Sequence, residues 1–267
     1  MASISDLATA AISYSGGDAV ATDISARHDG KRGAFIVLEG LDRSGKTTQV
    51  KLLEQRFVEE GRAVKVMRFP DRTTPIGQII DAYLKSNIQV EDHVIHLLFS
   101  ANRWEAVDQI KSLLASGTTI ICDRFYHSGI VYSAAKRNPS LPLSWARAPE
   151  RGLPRPDMVL FLDLDEAAAR ARGGWGSEVY EKTEMQKTVR ELFWCLGMGG
   201  KDVHGQEILA DLGGLQGAQW RQEEEDLVVL DADGSVEEVA ERVWAKVKER
   251  VEQVEKGELG TRIRVVQ

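Results

Sequence analysis

Cysteine is scarce in this chain of 267 residues, which has two, Cys122 and Cys195. Their spacing is not that of a metal site, and one falls in a strand-like run, the other in a helix-like run. That excludes a disulfide framework and favours a reducing compartment. Long apolar runs are also missing, since none approaches the roughly 20 residues needed to span a bilayer. Positive charge is short, with 34 Lys and Arg against 41 Asp and Glu, a formal charge of −7 and a pI near 5.4. Such a balance argues against broad nucleic-acid or membrane-surface binding, so any positive field has to be local to a cleft. Residues 1–32 lack a sustained apolar period and are rich in Ala, Ser, Gly and Asp. Asp6, Asp18 and Asp23 precede the first arginine, Arg27, which fits neither a mitochondrial nor a secretory address. This stretch reads as a flexible extension, and the chain as soluble and intracellular.

The feature that organises the rest begins with an apolar run, Ala34-Phe35-Ile36-Val37-Leu38, ended by Glu39. Gly40-Leu41-Asp42-Arg43-Ser44-Gly45-Lys46-Thr47 then matches G-x-x-x-x-G-K-[ST] in full. In such a loop, turns permitted by glycine aim successive backbone N–H groups at phosphate oxygens. The lysine reaches the β- and γ-phosphates, and the Ser/Thr hydroxyl ligates Mg2+. A helix starting near Lys46 adds the positive end of its dipole. Gly40, Ser44, Gly45, Lys46, Thr47 and Thr48 are therefore the expected contacts to a nucleoside triphosphate, with Thr47 on the metal.

Strands and helices alternate after this point. The helix from Lys46 to about Glu60 leads to a strand at Val64–Phe69, a polar loop through Arg72, and a helix near Ile76 to Lys85. One long helix is expected from Glu91 to Ala115, its core stripe being Val94, Leu97, Leu98, Ala101, Trp104 and Val107. Runs at 118–122, 158–162 and 227–230 read as further strands, and Ser235 with Glu238 forms a capping box for a last helix. Val236, Val239, Val243 and Val247 form the expected apolar stripe of that helix. The expected architecture is α/β, with a five-stranded, mostly parallel sheet and helices on both faces. A domain is placed at 33–256, with a glycine-rich surface insertion at about 197–222 and a C-terminal tail at 257–267. Ligands of open parallel sheets bind beyond the carboxyl ends of the strands. The phosphate loop, the segment 68–72, the pair Asp123-Arg124 and the segment after Leu164 should converge there.

The phosphate loop alone does not choose among GTPases, motor ATPases and small-molecule kinases. No Asn-Lys-x-Asp guanine-reading stretch is present. Arg72 and Arg124 lie on cleft loops, where guanidinium forks hold phosphate bidentately. Singly, each reads as a surface or ion-pair arginine; together, beside the phosphate loop, they point to a phosphorylated acceptor. Phe99 and Arg103, four apart, share a helix face. A ring with a donor fork beside it can stack on a base and bond its carbonyl, although an aromatic in a helix is ordinarily core packing.

These blocks, with Glu91-Asp92-His93, Leu97 to Glu105, Ser128-Gly129 and Gly152 to Asp157, resemble the thymidylate kinase family in its eukaryotic type. The likeness spans about residues 33–196 and the final strand and helix. It implies a P-loop kinase fold, ATP and dTMP as substrates, Mg2+, transfer of the γ-phosphoryl group to give dTDP for dTTP synthesis, and a homodimer. A cytoplasmic location is implied, with the nucleus as a second one. Carried over by position, Arg43 approaches the γ-phosphate, and Asp42 lies near the acceptor sugar. Lys46 and Thr47 hold the donor, while Asp123 is an acid of the Mg2+ shell. Arg72 and Arg124 hold the acceptor phosphate, flanked by Phe69, Ser128 and Gly129. Phe99 stacks on thymine, Arg103 bonds its O4, and Tyr132 packs under the deoxyribose. Residues 172–181 resemble the lid, with Arg172 near adenine and Tyr180 near the acceptor base. With no other arginine in that lid, the catalytic positive charge falls to Arg43. His127 departs from the family pattern, which opens the neighbouring acceptor contacts to change. Kinases of another pyrimidine acceptor (dUMP or a deoxynucleoside) and a weakly active ATP-binding scaffold are the competing readings.

Overall fold

A computed structural model of the chain describes residues 31–164, 179–180, 183–197 and 226–267. The expected lid, apart from Val179 and Tyr180, and the insertion beyond Gly197 lie outside the described residues. In chain order the elements are β1 (Phe35–Gly40), α1 (Lys46–Glu59), β2 (Val64–Arg68), α2 (Pro75–Leu84), α3 (Asp92–Trp104) and α4 (Val107–Ala115). There follow β3 (Thr119–Asp123), α5 (Tyr126–Ala134), α6 (Leu143–Arg147) and a 3-10 turn (Ala148–Glu150). The last are β4 (Met158–Asp163), α7 (Thr183–Gly197), β5 (Leu227–Asp231) and α8 (Val236–Glu255).

Among the described residues five strands form one sheet in the order β2-β3-β1-β4-β5, and each pairing is parallel. β1, at its centre, is buried along its whole length, which is why it reads as a continuous apolar run. Its alternate side chains feed two cores. Phe35 and Val37 join Ile80, Ile110, Phe125, Phe161 and Phe193 on one face. Ile36 and Leu38 join Val50, Leu53 and Phe57 of α1 and Val243, Val247 and Val251 of α8 on the other. The capping box of α8 is present, with Glu238 N–H donating to Ser235 Oγ at 3.1 Å and Ser235 N–H donating to Glu238 Oε2 at 2.8 Å. Val236, however, is exposed, and the buried stripe runs on through Val251 and Val254.

The single helix expected over 91–115 is two, α3 and α4, broken at Glu105-Ala106. Its expected core stripe holds only in part, for Val107 is buried in the core and Leu98 packs against it. Val94, Leu97 and Trp104 are 49%, 46% and 38% exposed, whereas Ile95, His96, Ser100, Asn102 and Arg103 are buried. The physical reason is that buried polar groups are tolerated when paired. His96 bonds Ser133 Oγ and Ala146 O at 2.7 and 2.8 Å, and Asn102 Oδ1 accepts from Asp71 N at 2.7 Å. Three of the apolar residues therefore mark the outward face, and α3 turns a mixed face to the interior, with Ile95, Leu98 and Phe99 beside these polar groups.

Residues 257–267 pack back against the body. Val266 is buried in the core, and Gly152 N–H donates to Val266 O at 2.8 Å. Arg264 bonds Asp157 and Asp226, the residues just before β4 and β5, at 3.4 and 2.8 Å. Arg32, just ahead of β1, makes a buried two-pronged pair with the same Asp157 at 2.6 and 2.8 Å. All these contacts lie at the amino ends of the strands, away from the expected ligand edge.

Candidate active site

At the carboxyl ends of the strands a cavity of 830 Å³ opens. One end is the phosphate loop. Gly40 closes β1 at φ 154°, where an added Cβ would meet Ser44 Oγ at 2.6 Å and Leu162 O at 2.8 Å, so glycine is required. Gly45 caps α1 in the left-handed region at φ 91°. Asp42, Arg43, Ser44, Gly45, Lys46, Thr47 and Thr48 all line the cavity. Lys46 is buried and donates to Leu41 O at 2.5 Å and Ser44 Oγ at 3.4 Å. Burial, and then the nearby Arg124, push its ammonium down to about 7. Thr47 Oγ1 donates to Asp123 Oδ2 at 2.7 Å, bringing together two oxygens of the kind Mg2+ prefers.

The other end draws on more distant parts of the chain. Phe69, Arg72, Phe99, Arg103, Arg124 and Tyr132 line it, with Ser128, Gly129 and Tyr180. Arg124 occupies the left-handed region at φ 68°, as does Arg43 at φ 69°, a costly conformation for a residue with a Cβ. Arg124 Nη2 donates to Asp42 Oδ1 at 2.6 Å and Nη1 to Ser128 Oγ at 3.0 Å, while its guanidinium lies 5.3 Å from the centre of the Tyr132 ring. Burial would raise the Asp42 carboxyl, but Arg124 and Lys46 beside it hold it below the usual carboxylate range. Arg72 Nη1 donates to Asp81 Oδ1 at 2.6 Å, and Arg103 is paired in the interior with Glu150. Phe99 is half-buried and packs against the main core while its ring still borders the cavity. Tyr180 stacks obliquely on Tyr132 at 5.3 Å and edge-on to Tyr83 at 6.0 Å.

Every expected site residue that is described borders this cavity except Gly40, which shapes the loop from behind; Arg172 lies outside the described residues. His127, the departure from the family pattern, is fully buried, stacks on Tyr126 at 4.0 Å between centres, and does not border the cavity.

Several functional groups had escaped the sequence reading. Glu39 is fully buried and caps the start of α5, accepting from Phe125 N at 2.9 Å, Ser128 N at 3.1 Å and Ser128 Oγ at 2.5 Å. An acid inside a buried strand was the available signal. Gln186, also fully buried, donates from Nε2 to Asp42 Oδ2 and to Tyr180 O, both at 2.8 Å, and accepts from Asp42 N at 3.1 Å. It shares the inner face of α7 with Val189, Leu192 and Leu196, so a glutamine at a core period was the hint. Ala232, Gly234 and Ser235, between β5 and α8, and Val236, which opens α8, also border the cavity. The sequence marked Ser235 as a helix cap and Val236 as part of an apolar stripe, but neither as lining a cavity.

The thymidylate kinase sequence model matches residues 38–201, more than half of the chain. This chain belongs to the thymidylate kinase family. It is 43% identical to the thymidylate kinase of Schizosaccharomyces pombe over 212 residues, covering 79% of this chain and 90% of that one. The human thymidylate kinase is 47% identical over 163 residues, covering 61% of this chain and 76% of its own. Among solved structures, the thymidylate kinase of Candida albicans superposes with a TM-score of 0.68 at 31% identity, over 88% of this chain and 99% of that one. The architecture is the P-loop kinase fold of this family.

Proposed function

We propose that this family member transfers the γ-phosphoryl group of ATP to the 5′-phosphate of dTMP, giving dTDP and ADP. The observation that carries this reading is a single cavity with a phosphate loop at one end and Phe99, Arg103 and two carboxylate-held arginines at the other. Lys46 and the backbone of Gly40 to Thr47 hold the donor. Arg72 and Arg124 hold the acceptor phosphate, while Phe99 and Arg103 hold its base. Tyr132 supports the sugar from below, and Asp42 faces it. Phosphoryl transfer asks little covalent help of the protein, so alignment of two phosphates and neutralisation of spreading charge supply the rate. Arg43, on the strained tip of the loop, is the residue placed to follow charge from donor to acceptor. Mg2+, which Thr47 and Asp123 would help to hold, would neutralise part of that charge. The adjacent Thr47 hydroxyl and Asp123 carboxylate suit a hard cation that takes most of its ligands from phosphate and water.

An acceptor panel of dTMP, dUMP, UMP, dCMP, dGMP and thymidine, run with Mg·ATP and coupled to ADP release, tests this function. dTMP should turn over fastest, and a faster rate with thymidine would overturn the phosphate role of Arg72 and Arg124.

The outward apolar residues of α3, with Ile79 of α2, further support a homodimer built on these helices. Leu97→Glu should then convert a dimer to a monomer in sedimentation velocity. A wild-type chain already monomeric at micromolar concentration would remove that proposal. No helix among the described residues is long and apolar enough to cross a membrane. A cytoplasmic location, with the nucleus as a second, is part of the same proposal.

A further inference from the structure

Arg103 and Glu150 form an ion pair sealed from solvent, with side chains 3% and 0% exposed. Arg103 Nε donates to Glu150 Oε2 at 2.9 Å, and Nη2 donates to Oε1 of the same carboxylate. Glu150 ends the short 3-10 turn after α6, so the pair ties that turn to α3. The opposite side of the guanidinium rests on Gly129 of α5. A Cβ added there would lie 2.6 Å from Nη2 and 3.0 Å from both Cζ and Nη1. His96, beside the pair, is pushed down to about 4 by burial and then by Arg103, so it is neutral at physiological pH. Arg103 and Glu150 therefore balance each other's charge here.

The two-pronged pair consumes the Nε–Nη2 edge of Arg103. What remains for the cavity is the Nη1–Nη2 end, which carries N–H donors and no acceptor. A pyrimidine with a carbonyl at C4 offers an acceptor to that end, whereas one with a C4 amino group offers a donor. Donor facing donor leaves both groups unsatisfied, and a site built for one partner then rejects the other strongly.

We infer that Glu150 is a positioning residue that sets acceptor specificity: with Gly129 it locks Arg103 so that a donor-only edge meets the C4 substituent of the base. This rests on the reading, given above, that Arg103 meets the acceptor base. Glu150 itself touches no substrate and acts through the arginine.

The test measures KM and kcat for dTMP, dUMP and dCMP, and KM for ATP, in Glu150→Gln, Gly129→Ala and Arg103→Leu. Glu150→Gln should raise the dTMP KM by about tenfold, the scale of one lost charge-assisted bond, with a smaller change in kcat. Its ATP KM should stay within about twofold, and its preference for dTMP over dCMP should narrow. Gly129→Ala should move the same quantities in the same direction with the ion pair intact. Wild-type KM and preference in Glu150→Gln overturn the inference. So does an equal fall in kcat for all acceptors at unchanged KM, which reports only fewer folded molecules. Should Glu150→Gln fail to fold, Glu150→Asp keeps the charge and draws the carboxylate back. A smaller rise of the dTMP KM with the same narrowed preference then supports the inference, and an unchanged preference sinks it. Arg103→Leu separates the two levels. If that variant keeps the wild-type preference, the base-reading role fails and the inference falls with it. If it erases the preference while Glu150→Gln retains it, the inference alone fails.

Discussion

At the donor end of the cavity the groups arranged for phosphate come from consecutive residues, Gly40 to Thr47, and much of the cradle is backbone. At the acceptor end Arg72, Phe99, Arg103, Arg124 and Tyr132 arrive from loops and helices far apart in the chain. The two ends also handle positive charge differently. Each acceptor arginine has a carboxylate partner before any ligand arrives: Arg72 has Asp81, Arg103 has Glu150, and Arg124 has Asp42. Lys46 instead donates to a carbonyl and a hydroxyl, and burial holds its pKa near 7. On the proposed assignment, the acceptor end is thus a paired template whose arginine charges are present at every working pH. The proposed donor end has a cation whose charge a bound triphosphate would complete. A guanidinium cannot give up its proton under these conditions and an ammonium can, so the choice of residue matches the task.

Lys46→Ala should break the donor end most severely, lowering kcat by about two to three orders of magnitude, as loss of one preorganised donor does elsewhere. ADP release measures it, and an unchanged thermal melt would show the fold intact. Phe99→Ala comes next and should touch the acceptor end alone. A lost base–aromatic stack is worth about 1–3 kcal/mol, so dTMP binding should weaken accordingly in calorimetry while ATP binding holds. Equal weakening of both ligands would refute the division of the cavity.

The smallest effect sharpens the contrast in charge. A bound triphosphate should raise the Lys46 pKa above the value of about 7 that burial sets. ATP affinity is therefore full below that pH and declines as pH rises through and above it. Above pH 7, ATP binding should take up a proton, visible as a dependence of the calorimetric heat on buffer ionisation enthalpy. That uptake should vanish in Lys46→Ala, and dTMP binding should lack it.

The same contrast explains what could be read from the chain beforehand. The phosphate loop was legible because its chemistry needs fixed residue types at fixed spacing, and the parallel sheet was legible because buried strands are continuous apolar runs. Arg72, Arg124, Phe99 and Arg103 could be named, since strand ends and helix spacing brought them to one edge. Three buried groups that hold site residues could not. Glu39 meets Ser128 89 positions away, Gln186 meets Asp42 144 away, and Glu150 meets Arg103 47 away. An acid or amide that acts through another side chain leaves no local pattern. The inner face of α3 was read only in part for a related reason, because satisfied polar groups share it with Ile95, Leu98 and Phe99.

Asp157 holds Arg32 ahead of the first strand and Arg264 beyond the last helix, so the two ends of the described fold are clasped at one carboxylate. A force applied to the two ends would load that clasp first, pulling on the edge of the sheet remote from the cavity. Tethers attached at Lys31 or at Gln267 would pull on this clasp and not directly on the groups around Lys46.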